Sequence, residues 1–129
     1  MNTNNRWLMI AGYVLHCLIG ALILLGGIAK LAMPAMAEAE MSKNGLGGKV
    51  YLIGIGEALA AILMLIPLTS PLGTLLVSGF WGGVICFQMS HQQDFIFPSV
   101  MLALTWVAAS MRGIMPLLLK SPAAAPPNS

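Results

Sequence analysis

One apolar stretch of the chain, residues 50–67, holds a single ionisable side chain, that of Glu57. At about 1.5 Å per residue, a helix of this length nearly crosses the hydrocarbon core of a bilayer. A carboxylate at that depth is unfavourable unless it is paired, protonated or hydrated. The fold must therefore supply Glu57 with a partner, a proton or a water-lined pocket.

The composition of the whole chain places this stretch in a membrane protein. Hydrophobic residues make up 58% of the 129 residues and charged residues only 8%, whereas about a quarter of the residues in a soluble domain are charged. The formal net charge is +2, and no run of Lys or Arg is present to follow a phosphate backbone. We therefore expect an integral membrane protein with the lipid bilayer as its surroundings and no nucleic-acid partner.

Four apolar segments separated by short polar connections predict an all-α fold, an integral membrane antiparallel four-helix bundle. The single membrane domain is expected over residues 1–120, and the Pro- and Ala-rich tail 121–129 is expected to be disordered. An A-x-A pattern at Ala35–Ala37 is compatible with a cleaved signal sequence, but the preceding apolar stretch is much longer than the usual h-region of about 7–15 residues. The polar segment 34–48 is expected to form a short helix at the membrane surface. The predicted spans are residues 8–33, 49–67, 72–90 and 98–118.

Small residues in these spans predict how the helices pack. Gly79 and Gly83 form a G-x-x-x-G pattern, which permits close helix approach, so we expect a packing seam against another span. Cys17 and Cys86 lie in apolar runs, and we expect both to be small buried side chains. With no CxxC and no Cys/His cluster, the sequence predicts neither a metal site nor a disulfide framework.

Depth along the helices indicates which polar groups can reach Glu57. Lys30 lies about 5 Å and Glu57 about 12 Å from the same loop, so an ion pair across the first two spans is feasible. The alternatives are a Lys30 side chain that extends to the headgroups and a protonated Glu57 bonded to its neighbours.

Three more polar residues lie toward the same membrane face, namely His91, Gln88 and Tyr51. Together with Lys30 and Glu57 they would form a ligand-binding pocket, although His91 can also be read as an ordinary solvated loop histidine. His16 lies about 20 Å from Lys30 along the first span, and we interpret it as a buried, hydrogen-bonded core histidine.

The charges at the two ends of the bundle do not determine which end faces the cytoplasm. Arg6, Arg112 and Lys120 are expected at one end of the bundle, and three lysines, Lys30, Lys43 and Lys49, at the other. The positive-inside count therefore ties. The acidic side chains all belong to the end with the three lysines.

Several motifs in order resemble those of a known family. They are LLGGIAKL at Leu24–Leu31, IGIGEALAAILMLIP at Ile53–Pro67, a glycine-rich third span leading to His91, and Pro98 at the start of the fourth span. Over residues 8–112 the chain resembles the DoxX-like family of small four-span bacterial membrane proteins. The resemblance implies a multi-pass protein of the bacterial inner (cytoplasmic) membrane, with the family's polar positions at Lys30, Glu57 and His91.

The family takes its name from a subunit of an archaeal thiosulfate:quinone oxidoreductase, and other relatives are associated with redox homeostasis or serve as accessory subunits. The resemblance therefore implies an accessory subunit of a membrane redox system linked to quinone, with other membrane protein subunits as partners. The sequence shows no dinucleotide fingerprint and no CxxCH, so no intrinsic cofactor is expected. Whether the chain is itself an enzyme is left open. The alternative is a purely structural subunit of a larger membrane complex, and a transporter protomer is less favoured because no second intramembrane acid lines a path.

Overall fold

The structure is a computed structural model that describes residues 3–113 and folds them into five α-helices. In chain order the helices are α1 (Thr3–Ala32), α2 (Pro34–Lys43), α3 (Val50–Leu65), α4 (Ser70–Ser90) and α5 (Ile96–Met111). Within residues 3–113 there is no β-strand. The all-α prediction is confirmed.

The four long helices form an antiparallel bundle. Helix α1 packs against α3 and α5, and α4 packs against the same two helices, so the order around the bundle is α1, α3, α4, α5. Gly12, near the start of α1, lies against Met111 at the end of α5. Gly20 of α1 lies against Leu65, and Gly27 lies against the earlier part of α3. These contacts show that α1 runs opposite to both α3 and α5, which confirms the predicted topology.

The bundle carries its large apolar side chains on the outside and several polar ones inside. Leu25 and Leu52 are 64% and 70% exposed, whereas His16 and Thr74 are buried. Helices α1 and α4 are long and apolar enough to cross a bilayer, and α3 and α5 are shorter apolar helices. An apolar outer surface over a partly polar core is suited to lipid rather than to water.

The end of the bundle that carries α2 is organised by hydrogen bonds. Helix α2 buries none of its residues, as expected for a surface helix. Glu38 Oε1 accepts a hydrogen bond from the backbone N–H of Gly48 (2.6 Å), and Gly48 has a φ of 74° that suits glycine in this turn. Gln93 in the α4–α5 loop donates to Asn44 Oδ1 over 3.0 Å. Both polar loops therefore lie at the same end.

The helix boundaries differ from the predicted spans by a few residues. Helix α1 begins at Thr3 instead of residue 8, so polar residues and Arg6 form its first turns. Helix α5 ends at Met111, and Gly113 follows with a φ of 70°. The predicted extension of the fourth span to residue 118 and the predicted tail 121–129 lie outside the described residues.

Two packing predictions are wrong. Gly79 and Gly83 are exposed, and nothing lies within 4 Å of a Cβ added at either position, so they form no seam with another helix of residues 3–113. Cys17 and Cys86 are likewise exposed on the outer surface instead of buried. The physical reason is the same in both cases. When every face of a helix is apolar, hydropathy does not distinguish the side that faces lipid from the side that faces the core.

The close contact between α1 and α3 predicts that a methyl group at Gly27 is not tolerated. Its Cβ would lie 2.8 Å from the Ala58 backbone N and 2.9 Å from the Gly54 carbonyl O, and neither backbone atom can rotate away. We expect Gly27→Ala to lower the free energy of unfolding by about 1–3 kcal/mol, measured by denaturation in mixed micelles.

Gly79→Ala is the matched control for this substitution. It adds the same methyl group where nothing lies within 4 Å, so stability should be unchanged or slightly higher because alanine favours the helix. Equal losses from the two substitutions would contradict the tight α1–α3 contact.

Candidate functional site

Lys30 and Glu57 form an ion pair between α1 and α3. Lys30 Nζ donates a hydrogen bond to Glu57 Oε2 over 2.6 Å and a second to the carbonyl O of Gly26 over 3.3 Å. The Glu57 side chain is 6% exposed and that of Lys30 is 25% exposed. The structure thus places the predicted partner directly on the carboxylate, and the lysine does not extend away from it to the headgroups.

Two consecutive glycines in α1 make room for this pair. A Cβ at Gly26 would lie 2.7 Å from Glu57 Oε1 and 3.7 Å from Lys30 Nζ, so any larger residue would displace the carboxylate. The next residue, Gly27, lets the backbone of α1 approach that of α3 at Gly54. The Gly26–Gly27 pair therefore makes room for the ion pair that Lys30 forms. This explains why the motif LLGGIAKL combines two glycines with a lysine.

The carboxylate also borders a groove on the outer surface of the bundle. The groove lies between α3 and α4, is open on one side and has a volume of about 390 Å³. Glu57 is its one charged lining residue. The remaining lining is apolar apart from the glycine backbone: Leu52, Ile53, Gly56, Leu59, Ala60, Leu76 and Phe80.

This arrangement has a definite hydrogen-bonding capacity. A lysine ammonium carries three N–H donors, and Lys30 uses two of them on Glu57 and Gly26. An ionised carboxylate accepts hydrogen bonds at two oxygens, and among residues 3–113 Glu57 receives a bond only at Oε2. The pair can therefore accept a hydrogen bond from a hydroxyl group, or take its proton, at the edge of an apolar groove.

The other three predicted ligand-binding residues do not line this groove. His91 is exposed, and its Nδ1 lies 2.9 Å from the carbonyl O of Phe87 and 3.0 Å from Ser90 Oγ. Tyr51 is 59% exposed, and Gln88 is half-buried with no partner for Oε1 in the described part of the chain. Depth along the helix axis, the basis of the prediction, does not determine which way a side chain faces around the helix.

A second polar cluster lies toward the opposite end of the bundle. His16 Nε2 lies 2.8 Å from the carbonyl O of Met64 and 3.0 Å from Ser70 Oγ. Because a carbonyl only accepts, Nε2 carries the proton. Arg112 Nη1 donates to Ser70 Oγ over 2.9 Å, and its guanidinium lies over the Tyr13 ring at 4.2 Å. The core-histidine interpretation of His16 is confirmed.

Sequence reasoning did not find the partners in this cluster. The signals were Arg112 at the end of an apolar segment and Ser70 just after the helix break at Pro67, but neither shows that both meet His16. Within residues 3–113 no group of three or more His, Cys, Asp or Glu side chains could hold a metal ion.

A family model described as the DoxX-like family matches residues 14–108. The matched region includes Lys30, Glu57, the groove and His16, and it ends before Arg112. No curated protein and no solved structure matches this chain.

Because the two charges are paired, removing only one of them is expected to lower the free energy of unfolding. In Lys30→Met the carboxylate of Glu57 remains buried without its cation, and we expect the free energy of unfolding to fall by about 2 kcal/mol, less than for a fully buried pair. In the double variant Lys30→Met/Glu57→Leu neither charge remains, so at least half of this loss should be recovered. Reversible unfolding in mixed micelles measures both. A double variant less stable than Lys30→Met would contradict the pairing.

The second cluster predicts a similar asymmetry between two serines of α4. Ser70→Ala removes the acceptor for Arg112 and the neighbour of His16, and we expect a loss of about 1–2 kcal/mol. Ser78 bonds only the carbonyl of Thr74 in its own helix, over 2.8 Å, so Ser78→Ala should change stability by less than about 0.5 kcal/mol. Thermal unfolding measures the stability of both variants. Equal stability of Ser70→Ala and Ser78→Ala would contradict a structural role for the Ser70 hydroxyl.

Proposed function

The chain belongs to the DoxX-like family, and we propose that it is an accessory subunit of a quinone-linked redox system in the bacterial cytoplasmic membrane. The observation that carries the proposal is the double role of Glu57. Its carboxylate is paired with Lys30 and at the same time borders an apolar groove on the outer surface. A polar group beside a groove that opens to lipid suits a molecule with a polar head and an apolar body.

The chemistry of the groove favours a quinol over a simple lipid tail. A quinol hydroxyl can donate a hydrogen bond to the Glu57 carboxylate, and its ring and chain can lie along Leu52, Leu59 and Phe80. Lys30 does not line the groove, so its part in binding is to hold the Glu57 carboxylate in place.

The role proposed for the chain is binding and proton acceptance. Oxidation of a quinol to a quinone releases two protons and two electrons. Glu57 accepts one hydroxyl proton, water accepts the other, and a redox centre in a partner subunit takes both electrons. Lys30 stabilises the carboxylate in the state that is ready to accept. No electron-transfer group of this chain is required, which is consistent with an accessory subunit.

A structural subunit is the second candidate, and a specific observation favours it. The Lys30–Glu57 pair ties α1 to α3, and Gly26 leaves the carboxylate just enough space. Such a pair can serve to fix helix register without any ligand. The two functions can be distinguished because only the quinone-linked subunit needs the groove to be open.

Quinone binding by the purified protein tests the proposal. We expect the wild type to retain or bind a short-chain ubiquinol, and Glu57→Gln to bind it at least about tenfold more weakly because a charge-assisted hydrogen bond is lost. Gly56→Leu should have a comparable effect by filling the groove, because nothing lies within 4 Å of a Cβ at Gly56 and the residue lines the groove.

Gly79→Leu is the matched control, since it adds the same side chain at an exposed glycine outside the groove. Binding should survive in this variant. Equal and negligible quinone in the wild type and in Glu57→Gln would remove the redox proposal and leave the structural one.

A further inference from the structure

A second pocket lies at the opposite end of the bundle from Glu57. It has a volume of about 300 Å³ and is formed where the first turns of α1 meet the end of α5. Among the described residues that line it, Arg112 is the one that is charged. The other lining residues are Asn5, Leu8, Met9, Ser110, Met111 and Gly113.

The guanidinium of Arg112 is held in place by neighbouring side chains. Its Nη1 donates to Ser70 Oγ, and its planar group lies over the Tyr13 ring. The buried His16 ring lies against the same serine hydroxyl. A cation fixed by a hydrogen bond and a stacked ring loses little freedom when it binds a ligand.

Among residues 3–113, Arg112 lacks an acidic partner. The chain has four acidic side chains, Glu38, Glu40, Glu57 and Asp94. All four belong to α2, to the first half of α3 or to the α4–α5 loop, at the other end of the bundle. The Nε of Arg112 is also buried without a hydrogen-bond partner among residues 3–113. Among the described residues no carboxylate balances the charge of Arg112, so the site is suited to an anion.

We propose that this pocket binds the phosphate group of an anionic phospholipid. The planar guanidinium matches phosphate oxygens, and Asn5 can bond another oxygen of the headgroup. Leu8 is 53% exposed and Leu8 and Met9 line the same pocket, which provides an apolar path for the acyl chain. An anionic headgroup is preferred to one that carries its own cation because of the charge of Arg112, whereas the exposed Arg6 lies outside the pocket and its charge is screened by solvent.

Native mass spectrometry of the full chain in detergent tests the site. Phosphatidylglycerol is the probe, and phosphatidylcholine with the same acyl chains is its zwitterionic control. We expect the wild type to bind phosphatidylglycerol at least about tenfold more tightly than phosphatidylcholine, because the choline cation of the second lipid offsets the attraction between its phosphate and Arg112. In Arg112→Gln this preference should disappear. An unchanged preference in Arg112→Gln would overturn the proposal.

Arg112 also contacts Ser70, so replacing Arg112 removes a structural contact as well as the charge. A second pair of variants therefore leaves Arg112 unchanged. Ser110→Glu puts a carboxylate into the pocket beside Arg112 and should abolish the preference, whereas Ser110→Gln, similar in size but neutral, should keep it. Arg6→Gln removes a charge at the same end but outside the pocket, and should change binding less than about twofold. Equal effects of Ser110→Glu and Ser110→Gln would overturn the proposal.

A further experiment distinguishes the binding of a lipid from the binding of a soluble anion. Inorganic phosphate has the same charged group without an acyl chain, so it should not displace phosphatidylglycerol at millimolar concentration. Displacement by phosphate at the concentration at which the lipid binds would overturn the lipid assignment. Because the pocket is at the opposite end from the groove, these results do not depend on whether quinol binds beside Glu57.

Discussion

The ion pair between Lys30 and Glu57 is the interaction on which the rest of the fold depends. A lone carboxylate in an apolar helix is unfavourable, and the 2.6 Å contact with Lys30 compensates for its burial. The pair forms because Gly26 leaves space for the carboxylate and Gly27 brings the two backbones together. The need to neutralise Glu57 thus sets the spacing of α1 and α3. It also places a polar group beside a groove that faces lipid.

The bundle carries its polar interactions toward two ends. Lys30 and Glu57 lie toward the α2 end, and His16, Ser70 and Arg112 lie toward the other. Between them the core combines small residues such as Ala61 with larger ones such as Met64 and Trp81, while many other large apolar side chains face outward. Each end therefore combines a fixed cation with a neighbouring pocket, but the first cation has an acidic partner and the second lacks one. This difference is why we assign a proton-donating ligand to one end and an anion to the other.

The features that were predicted correctly all depend on position along a helix. The all-α bundle follows from the apolar segments, and the meeting of Lys30 with Glu57 follows from their distances from a shared loop. The features that were missed depend on direction around a helix. Gly79 faces outward, and His91 bonds to Phe87 and Ser90 of its own helix end and lines no groove, because an apolar helix carries no amphipathic signal to orient it. The contact of Arg112 with Ser70 was missed because it joins residues far apart in the chain.

The charge state of Glu57 in a bilayer is the most direct test of this account. Infrared difference spectroscopy of the wild type against Glu57→Gln isolates this carboxyl group, because the other three acids are common to both proteins. The account predicts that the difference at neutral pH contains the bands of an ionised carboxylate and lacks the C=O stretch of a protonated acid. A protonated C=O band, unchanged in Lys30→Met, would contradict the ion pair on which the fold and the proposed site both depend.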